Sequence, residues 1–161
     1  MGERRRIDDR FPRLATDGYE ITSQPDDTYN CVAWVARDLR RWWHPGDIDG
    51  FYWPDELGEG DSLTDYIAVF GYLGFSACSD GALVPGVEKI AVYGRDDEFD
   101  HVAFQRTDGS WSSKLGELSD IRHPYDHSLS GSGPFEYKPV VLYMQRARLP
   151  HQLAETGLIL P

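Results

Sequence analysis

The sequence predicts an α+β fold in which N-terminal helices pack on a small antiparallel sheet. Residues 30–74 carry apolar side chains at helical spacing, whereas residues 88–145 hold short alternating segments separated by turns. Helices followed by a run of strands are typical of α+β domains, because α/β proteins alternate the two. The length of 161 residues suits one domain, and 5 Trp, 9 Tyr and 7 Phe argue against disorder.

Two helices are predicted in the first half of the domain. The first begins at Asn30 and ends before Pro45. The second begins at a capping box formed by Ser62 and Asp65, and it ends at Gly74. Apolar residues recur on one face of the first helix at Cys31, Val35, Leu39 and Trp42.

Four strands are predicted in the second half. The strongest turn signal is Asp108-Gly109, which lies between two alternating segments and predicts a β-hairpin. The strands cover residues 88–93, 101–106, 111–115 and 137–145. We predict one domain over residues 29–146, preceded by an irregular arm and loop over residues 1–28 and followed by a loosely attached tail over residues 147–161.

Composition limits the partners of this domain. The formal net charge of −11 argues against binding to nucleic acid or to an anionic membrane surface. No apolar stretch approaches the ~20 residues of a membrane helix, and the charged N-terminus does not resemble a signal peptide. With two cysteines, the chain is expected in the cytoplasm with both thiols reduced.

No metal site and no cofactor are predicted. His123 and His127 are four residues apart, but Pro124 lies between them and argues against a shared helix face as metal ligands. The sequence has no glycine-rich phosphate loop. The acidic run at residues 96–98 is expected to be solvated loop charge.

Cys31 is the candidate nucleophile. Asn30 is a favourable N-cap, which would place Cys31 at the first position of a helix. Unpaired backbone N–H groups favour the thiolate there, so the thiol pKa is expected below its ordinary value of ~8.5. The alternative is a small buried apolar residue, since free cysteine is often buried. Cys78 has no comparable position and is predicted to be structural.

His101 is the candidate base because it opens a predicted strand downstream of the cysteine. The returning strand of the hairpin would bring Ser113 beside it, where the hydroxyl could orient the imidazole. The alternative is a histidine that is merely hydrogen-bonded at a strand end.

These motifs together resemble the papain-like cysteine hydrolase superfamily. In its compact bacterial branch of cell-wall peptidases and amidases, a cysteine opens a helix and a strand begins His-Val-Gly. A turn, an aromatic residue and a third polar residue follow. The matching segments here are Asn30-Cys31, His101-Val102-Ala103, Asp108-Gly109, Trp111 and Ser113. The chain also resembles a family of uncharacterised bacterial domains, over segments 29–34, 88–93, 101–103 and 111–116.

The resemblance implies a papain-like fold and acyl-transfer chemistry at Cys31, His101 and Ser113. Active relatives usually have His, Asn, Asp or Glu at the third position, so the serine departs from the pattern. In papain a glutamine upstream of the cysteine completes the oxyanion hole. Here Gln24 or Asn30 would take that role beside the backbone N–H of the cysteine.

Two functions follow as hypotheses. The first is a cysteine hydrolase of the peptidase, amidase or deamidase type, acting on a peptide or other amide-containing substrate. The second is a non-catalytic interaction module on the same scaffold, such as an immunity, regulatory or toxin-associated partner of another protein. The acidic charge and the serine at the third position favour the second. A sealed Cys31 with no open groove would favour it too.

Two tryptophans near the predicted site are expected to differ in burial. Trp34, three residues after Cys31, should point into the core and hold the helix against the sheet. Trp53, in the aromatic loop at residues 51–54, should line a groove and contribute little to stability.

Overall fold

A central antiparallel sheet organises the protein, which is described here by a computed structural model over residues 2–46 and 48–148. The strands of the described residues are β1 (Glu20–Ile21), β2 (Trp42–Trp43), β3 (Phe51–Tyr52), β4 (Ser76–Cys78), β5 (Val87–Arg95), β6 (Glu98–Gln105), β7 (Trp111–Lys114), β8 (Asp120–His123) and β9 (Val140–Ala147). Strands β2 and β3 form a small parallel pair. The other seven form one sheet in the order β1-β8-β7-β6-β5-β9-β4, with every neighbouring pair antiparallel.

Helices cover both faces of this sheet. The α-helices of the described residues are α1 (Glu3–Arg10), α2 (Pro12–Asp17), α3 (Cys31–Val35) and α4 (Leu63–Tyr72). Ile90 and Val92 of β5 point into a first core that includes residues of α3 and α4. Ala91 and Tyr93 point the other way, into a second core with residues of α1 and α2. Helices packed on a mainly antiparallel sheet confirm the predicted α+β class.

Several local predictions are confirmed. Ser62 and Asp65 form the capping box at the start of α4, each accepting a backbone N–H from the other residue. The Asp108-Gly109 turn joins β6 to β7, and Gly109 has φ +90°, a left-handed conformation that suits glycine.

Strand β6 begins at Glu98, so His101 lies inside it and not at its first residue.

The first predicted helix is much shorter than expected. Helix α3 ends at Val35, and Trp42, predicted on its apolar face, belongs to β2. Arg37 has φ +63°, which a continuing right-handed helix excludes. The Asp38 carboxylate accepts N–H groups from Arg40 and the Trp43 indole, so the chain turns where a helix would have continued.

The irregular conformation predicted for the N-terminal arm is wrong. Residues 3–17 form α1 and α2, which bury Ile7, Phe11 and Leu14 in the second core. The sequence does not predict these helices, because few apolar residues mark their buried face within a highly charged segment. The division into arm, domain and tail stays a prediction. Most of the tail, residues 149–161, lies outside the described residues.

The sequence does not predict strand β8, because three of its four residues are polar. Its residues Asp120 and His123 are nonetheless buried, since both side chains have hydrogen-bond partners in the fold. The edge strands β1 and β4 are not predicted from the sequence either, because they have only two and three residues. Along the described residues, each helix is too short or too polar to cross a membrane.

Candidate functional site

Cys31 occupies the predicted position at the start of α3. The Asn30 side chain is the N-cap, and its Oδ1 accepts the backbone N–H of Ala33 at 3.1 Å. The same Oδ1 accepts the N–H of Trp43, and Asn30 Nδ2 donates to the Trp43 carbonyl at 2.8 Å. Asn30 therefore ties the start of α3 to β2, and its oxyanion role stays a prediction.

The sulfur of Cys31 lies against the strand that carries His101. The backbone N–H of Val102, the residue that follows His101 on β6, favours the thiolate form of this sulfur. The cysteine is half-buried and packs against the first core. The helix start thus brings the candidate nucleophile to the expected strand.

The pKa of the Cys31 thiol is raised to about 11, so the expectation of a lowered pKa is wrong. Burial is the largest cause, because the thiolate loses its hydration there. Backbone N–H groups of Val102 and Val32 and the charge of Lys114 favour the thiolate, but they offset burial only in part. A helix of five residues has too small a dipole to reverse this balance.

His101 is buried and belongs to a chain of polar side chains that crosses three adjacent strands. His101 Nε2 lies 3.0 Å from Ser113 Oγ on β7, the contact that the hairpin predicted. Ser113 Oγ lies 2.8 Å from His123 Nε2 on β8, and His123 Nδ1 lies 2.9 Å from the Tyr125 carbonyl oxygen. All three side chains are inaccessible to solvent or nearly so.

Aromatic rings hold the His101 imidazole in place. The Tyr137 ring stacks on it with centroids 4.3 Å apart and an angle of 7° between the planes. The Tyr93 ring packs at 5.2 Å from the side. Burial lowers the pKa of His101 well below its ordinary value, and His123 lowers it further. His101 is therefore neutral at pH 7.

The candidate nucleophile and the candidate base lie against different cores. Cys31 packs against the first core, whereas the rings around His101, Tyr93 and Tyr137, belong to the second. Strands β6 and β7 pair only at Phe104 and Gln105 along their described length, so the sheet opens toward His101. Tyr137 is affected by both residues. Its ring stacks on His101, and its pKa is raised first by burial and then by a charge on Cys31.

Lys114 is a buried cation beside the site. The sequence offers it, with Ser112 and Ser113, as a partner that could orient the His101 imidazole, with Ser113 the best placed. Its ammonium donates to the backbone carbonyls of Asp26 and Gly116 and lies 4.7 Å from the centre of the Tyr29 ring. Burial lowers the pKa of Lys114. Successive side chains of a strand point to opposite faces of the sheet, so Lys114 faces the side opposite to Ser113. The sequence of β7 therefore already indicates that Lys114 lies away from the His101 contact.

An aromatic wall extends from Cys31 toward the loop at residues 51–54. Tyr66 is buried in the first core, against which Cys31 also packs, and burial raises the pKa of its phenol. Tyr66 stacks on Phe99 at 3.9 Å, and Trp53 meets Tyr66 edge-on at 5.3 Å. Trp53 is only 9% exposed and joins the first core, so its replacement is expected to cost more stability than the sequence predicted.

A cleft of about 480 Å³ adjoins this wall, lined by Phe51, Tyr52, Trp53, Pro54 and others. Cys31 does not line the cleft, and Trp53, which does, packs on Tyr66 in the core against which Cys31 also packs. The aromatic loop thus faces a groove, as predicted, and Cys31 is not among the residues that line it.

The remaining candidates lie apart from this cluster. Gln24 is exposed in the loop before α3, and its oxyanion role stays a prediction. Cys78 is on the edge strand β4, where its thiol donates to the Asp80 carbonyl at 3.5 Å. His123 is buried on β8 while His127 is exposed on a short 3-10 helix, Asp126–Leu129. The described residues contain no cluster of three or more potential metal ligands.

Comparison with known families assigns the chain. A family model described as a domain of unknown function (DUF7689) matches residues 20–145. The chain belongs to the DUF7689 family. No curated protein and no solved structure matches it.

The DUF7689 region contains the whole cluster around the thiol. Cys31, His101, Ser113 and His123 all fall within residues 20–145, as does every strand of the sheet except the last residues of β9. Helices α1 and α2 precede the matched region, although they complete the second core.

Proposed function

We propose that this DUF7689 protein is a papain-like cysteine hydrolase that cleaves an amide, isopeptide or thioester bond by acyl transfer. The observation that carries the proposal is the contact between His101 and Ser113, together with the packing of the helix that begins at Cys31 against the strand of His101. The backbone N–H of Val102, next to His101, favours the Cys31 thiolate, and His101 Nε2 lies 3.0 Å from Ser113 Oγ. A nucleophile, a base and an orienting group in this order are the elements of such a site.

The reaction would proceed in two halves. Cys31 Sγ forms a bond to the substrate carbonyl carbon while the thiol proton passes to the His101 imidazole. The bond from that carbon to the leaving nitrogen, or sulfur in a thioester, then breaks, and the imidazolium returns the proton to the leaving group. Water attacks the resulting thioester, its proton passes to His101, and the acid leaves as Cys31 regains its proton.

The resting site would hold a neutral thiol and a neutral imidazole. The raised pKa of Cys31 and the lowered pKa of His101 share one cause, which is burial of both groups. Proton transfer would therefore accompany attack on the substrate and would not precede it. The Cys31 and Val102 backbone N–H groups near the sulfur are candidates for stabilising the developing oxyanion. The cytoplasmic location predicted from the sequence stays a prediction.

A generic acyl donor tests the proposal without knowledge of the substrate. Treatment with p-nitrophenyl acetate should release p-nitrophenolate in a burst and leave one acetyl group on Cys31, seen by intact-protein mass spectrometry and peptide mapping. Cys31→Ala should abolish the adduct, and His101→Gln should slow acylation on the order of 10²-fold or more. Cys78→Ala is the matched control and should acylate like the unmodified chain.

Two results would reject the hydrolase. The first is the absence of any acyl-Cys31 although the protein is folded. The second is acylation of the His101→Gln variant at the rate of the unmodified chain, because the imidazole would then not act as a base.

A non-catalytic interaction module is the second candidate, and the neutral, desolvated pair favours it. A half-buried thiol and a buried imidazole, both held without charge, also suit a purely structural network that supports a binding surface. The module predicts that Cys31→Ala leaves partner binding intact and that no acyl-enzyme forms.

A further inference from the structure

His123 lies at the far end of the polar chain and has no part in the reaction described above. The chain runs from His101 Nε2 to Ser113 Oγ over 3.0 Å, and from Ser113 Oγ to His123 Nε2 over 2.8 Å. It ends where His123 Nδ1 lies 2.9 Å from the carbonyl oxygen of Tyr125. Each member sits on a different strand of the sheet and is buried.

The carbonyl at the end of the chain decides the direction of every hydrogen bond in it. A carbonyl oxygen can only accept, so His123 Nδ1 carries a proton and donates it to Tyr125. Burial keeps His123 neutral at pH 7, with its pKa lowered to about 4, so Nε2 has a lone pair and no proton. The single Ser113 O–H then donates to His123 Nε2, and Ser113 Oγ accepts from His101 Nε2–H.

We propose that His123 sets the tautomer of His101 through the Ser113 hydroxyl, so that His101 Nε2 carries the ring proton and Nδ1 is free to accept one. His123 is then a positioning residue, because it reaches the imidazole only through Ser113.

A serine alone could not impose this direction. Its hydroxyl can donate to His101 Nε2 or accept from it, and donation would move the ring proton to Nδ1 and remove the base. A carboxylate at the third position only accepts and has no such ambiguity. The second histidine supplies the direction that a lone hydroxyl lacks, while the stacked Tyr137 ring holds the plane of the imidazole.

The catalytic consequence rests on the proposed function. The proton that leaves Cys31 Sγ would go to His101 Nδ1, and the same atom would return it to the leaving group. The tautomer itself does not depend on catalysis and can be measured in the resting protein.

Nitrogen-15 NMR of the full chain, labelled at its histidines, tests the tautomer directly. Protonated and unprotonated ring nitrogens give distinct chemical shifts, and single histidine variants assign the signals. At neutral pH we expect His101 to be protonated at Nε2 and His123 at Nδ1. A resting His101 with its proton on Nδ1 would overturn the proposal.

Variants separate the relay from simple packing. His123→Phe keeps a ring but removes the acceptor, so the His101 proton should shift toward Nδ1, and acetylation of Cys31 by p-nitrophenyl acetate should slow on the order of 10²-fold. His127→Phe is the matched control on the exposed 3-10 helix and should change neither. Unchanged His101 shifts in a folded His123→Phe variant would also overturn the proposal.

A second pair of variants serves if His123→Phe does not fold. Ser113→Thr keeps the hydroxyl and should keep the tautomer, whereas Ser113→Ala should lose it; identical His101 spectra in the two would contradict the relay. The expected tautomers without any acyl-Cys31 would support the relay and reject the hydrolase. Acylation of Cys31 with the His101 proton on Nδ1 would reject the relay and leave the hydrolase standing.

Discussion

At the scale of single residues, the environment of Cys31 outweighs its position in the helix. Asn30 caps α3 as the sequence indicated, and the backbone N–H groups of Val102 and Val32 favour the thiolate. The free-energy cost of removing the thiolate from water nevertheless exceeds the stabilisation by these N–H groups, so the pKa of the thiol rises to about 11. Iodoacetamide is therefore a poor reporter of this thiol at neutral pH, because it reacts with the thiolate.

The buried histidines make stability depend on pH. His123 has its pKa lowered from 6.5 to about 4 by burial, and burial also lowers the pKa of His101. The histidines of the unfolded chain take up protons at a higher pH than those of the folded chain. The free energy of unfolding therefore decreases as the pH falls from 6.5 toward 4. His123 alone should reduce the free energy of unfolding by about 3 kcal/mol across this interval.

Urea unfolding from about pH 7.5 to about pH 4.5 measures this loss. Aspartates with lowered pKa, such as Asp65 and Asp108, lose their contribution only below 3.8, outside this window. The His123→Phe variant should show a flatter dependence and His127→Phe should match the unmodified chain. Equal slopes in all three proteins would mean that the buried histidine is not the source.

At the scale of elements, Trp34 anchors α3 to the sheet. Its side chain is 8% exposed, and its indole N–H donates to Ser112 Oγ on β7 at 2.9 Å. The ring also packs on Tyr29 and on Phe104 of β6, each with centroids 5.7 Å apart. A helix of five residues cannot hold itself in place, so this side chain sets where Cys31 meets β6.

Replacing Trp34 should therefore destabilise the protein strongly. Trp34→Ala should cost about 3–5 kcal/mol in the free energy of unfolding, the usual range for a buried large aromatic residue. Trp34→Phe should cost less, because it keeps most of the packing and loses mainly one hydrogen bond worth about 1 kcal/mol.

Phe51→Ala is the matched control for denaturant melts, since Phe51 is 43% exposed at the edge of the cleft. It should change stability by no more than about 0.5 kcal/mol. A neutral Trp34→Ala beside a damaging Phe51→Ala would show that α3 is anchored elsewhere.

At the scale of the whole molecule, one buried carboxylate joins distant parts of the chain. Glu88 on β5 is inaccessible to solvent and pairs with Arg37 after α3, Arg146 on β9 and Arg148 beyond it. Arg146 also donates to the Leu73 carbonyl at the end of α4, at 2.6 Å. Burial lowers the pKa of Arg37 to about 10, so the guanidinium is still charged at pH 7.

Glu88→Gln should reduce stability by about 3–5 kcal/mol, because it leaves three guanidinium groups crowded together without an anion. Added salt should restore little of the loss, since these charges are shielded from solvent.

Glu98→Gln is the control for this change. Glu98 also pairs with a cation, Lys138 at 3.5 Å, but it is exposed. Its replacement should cost less than about 1 kcal/mol in the same unfolding assay. A similar small cost for Glu88→Gln would show that the arginines find other partners when the carboxylate is removed.

The sequence by itself determined the features that depend on neighbours along the chain. The N-cap at Asn30, the capping box at Ser62 and Asp65, and the Asp108-Gly109 turn all formed as predicted. The turn also aligned β7 with β6, which made the contact of Ser113 with His101 predictable. These signals act over a few residues, so local propensity is enough to read them.

Only the tertiary structure decided what burial does to those residues. Arg37 pairs with the distant Glu88 where α3 ends at Val35, and α1 and α2 gained their order by covering the second core. The raised pKa of Cys31 and the pairing of Ser113 with His123 arise from elements that meet only in the folded sheet. Desolvation and long-range register depend on the assembled core, and no local pattern encodes them.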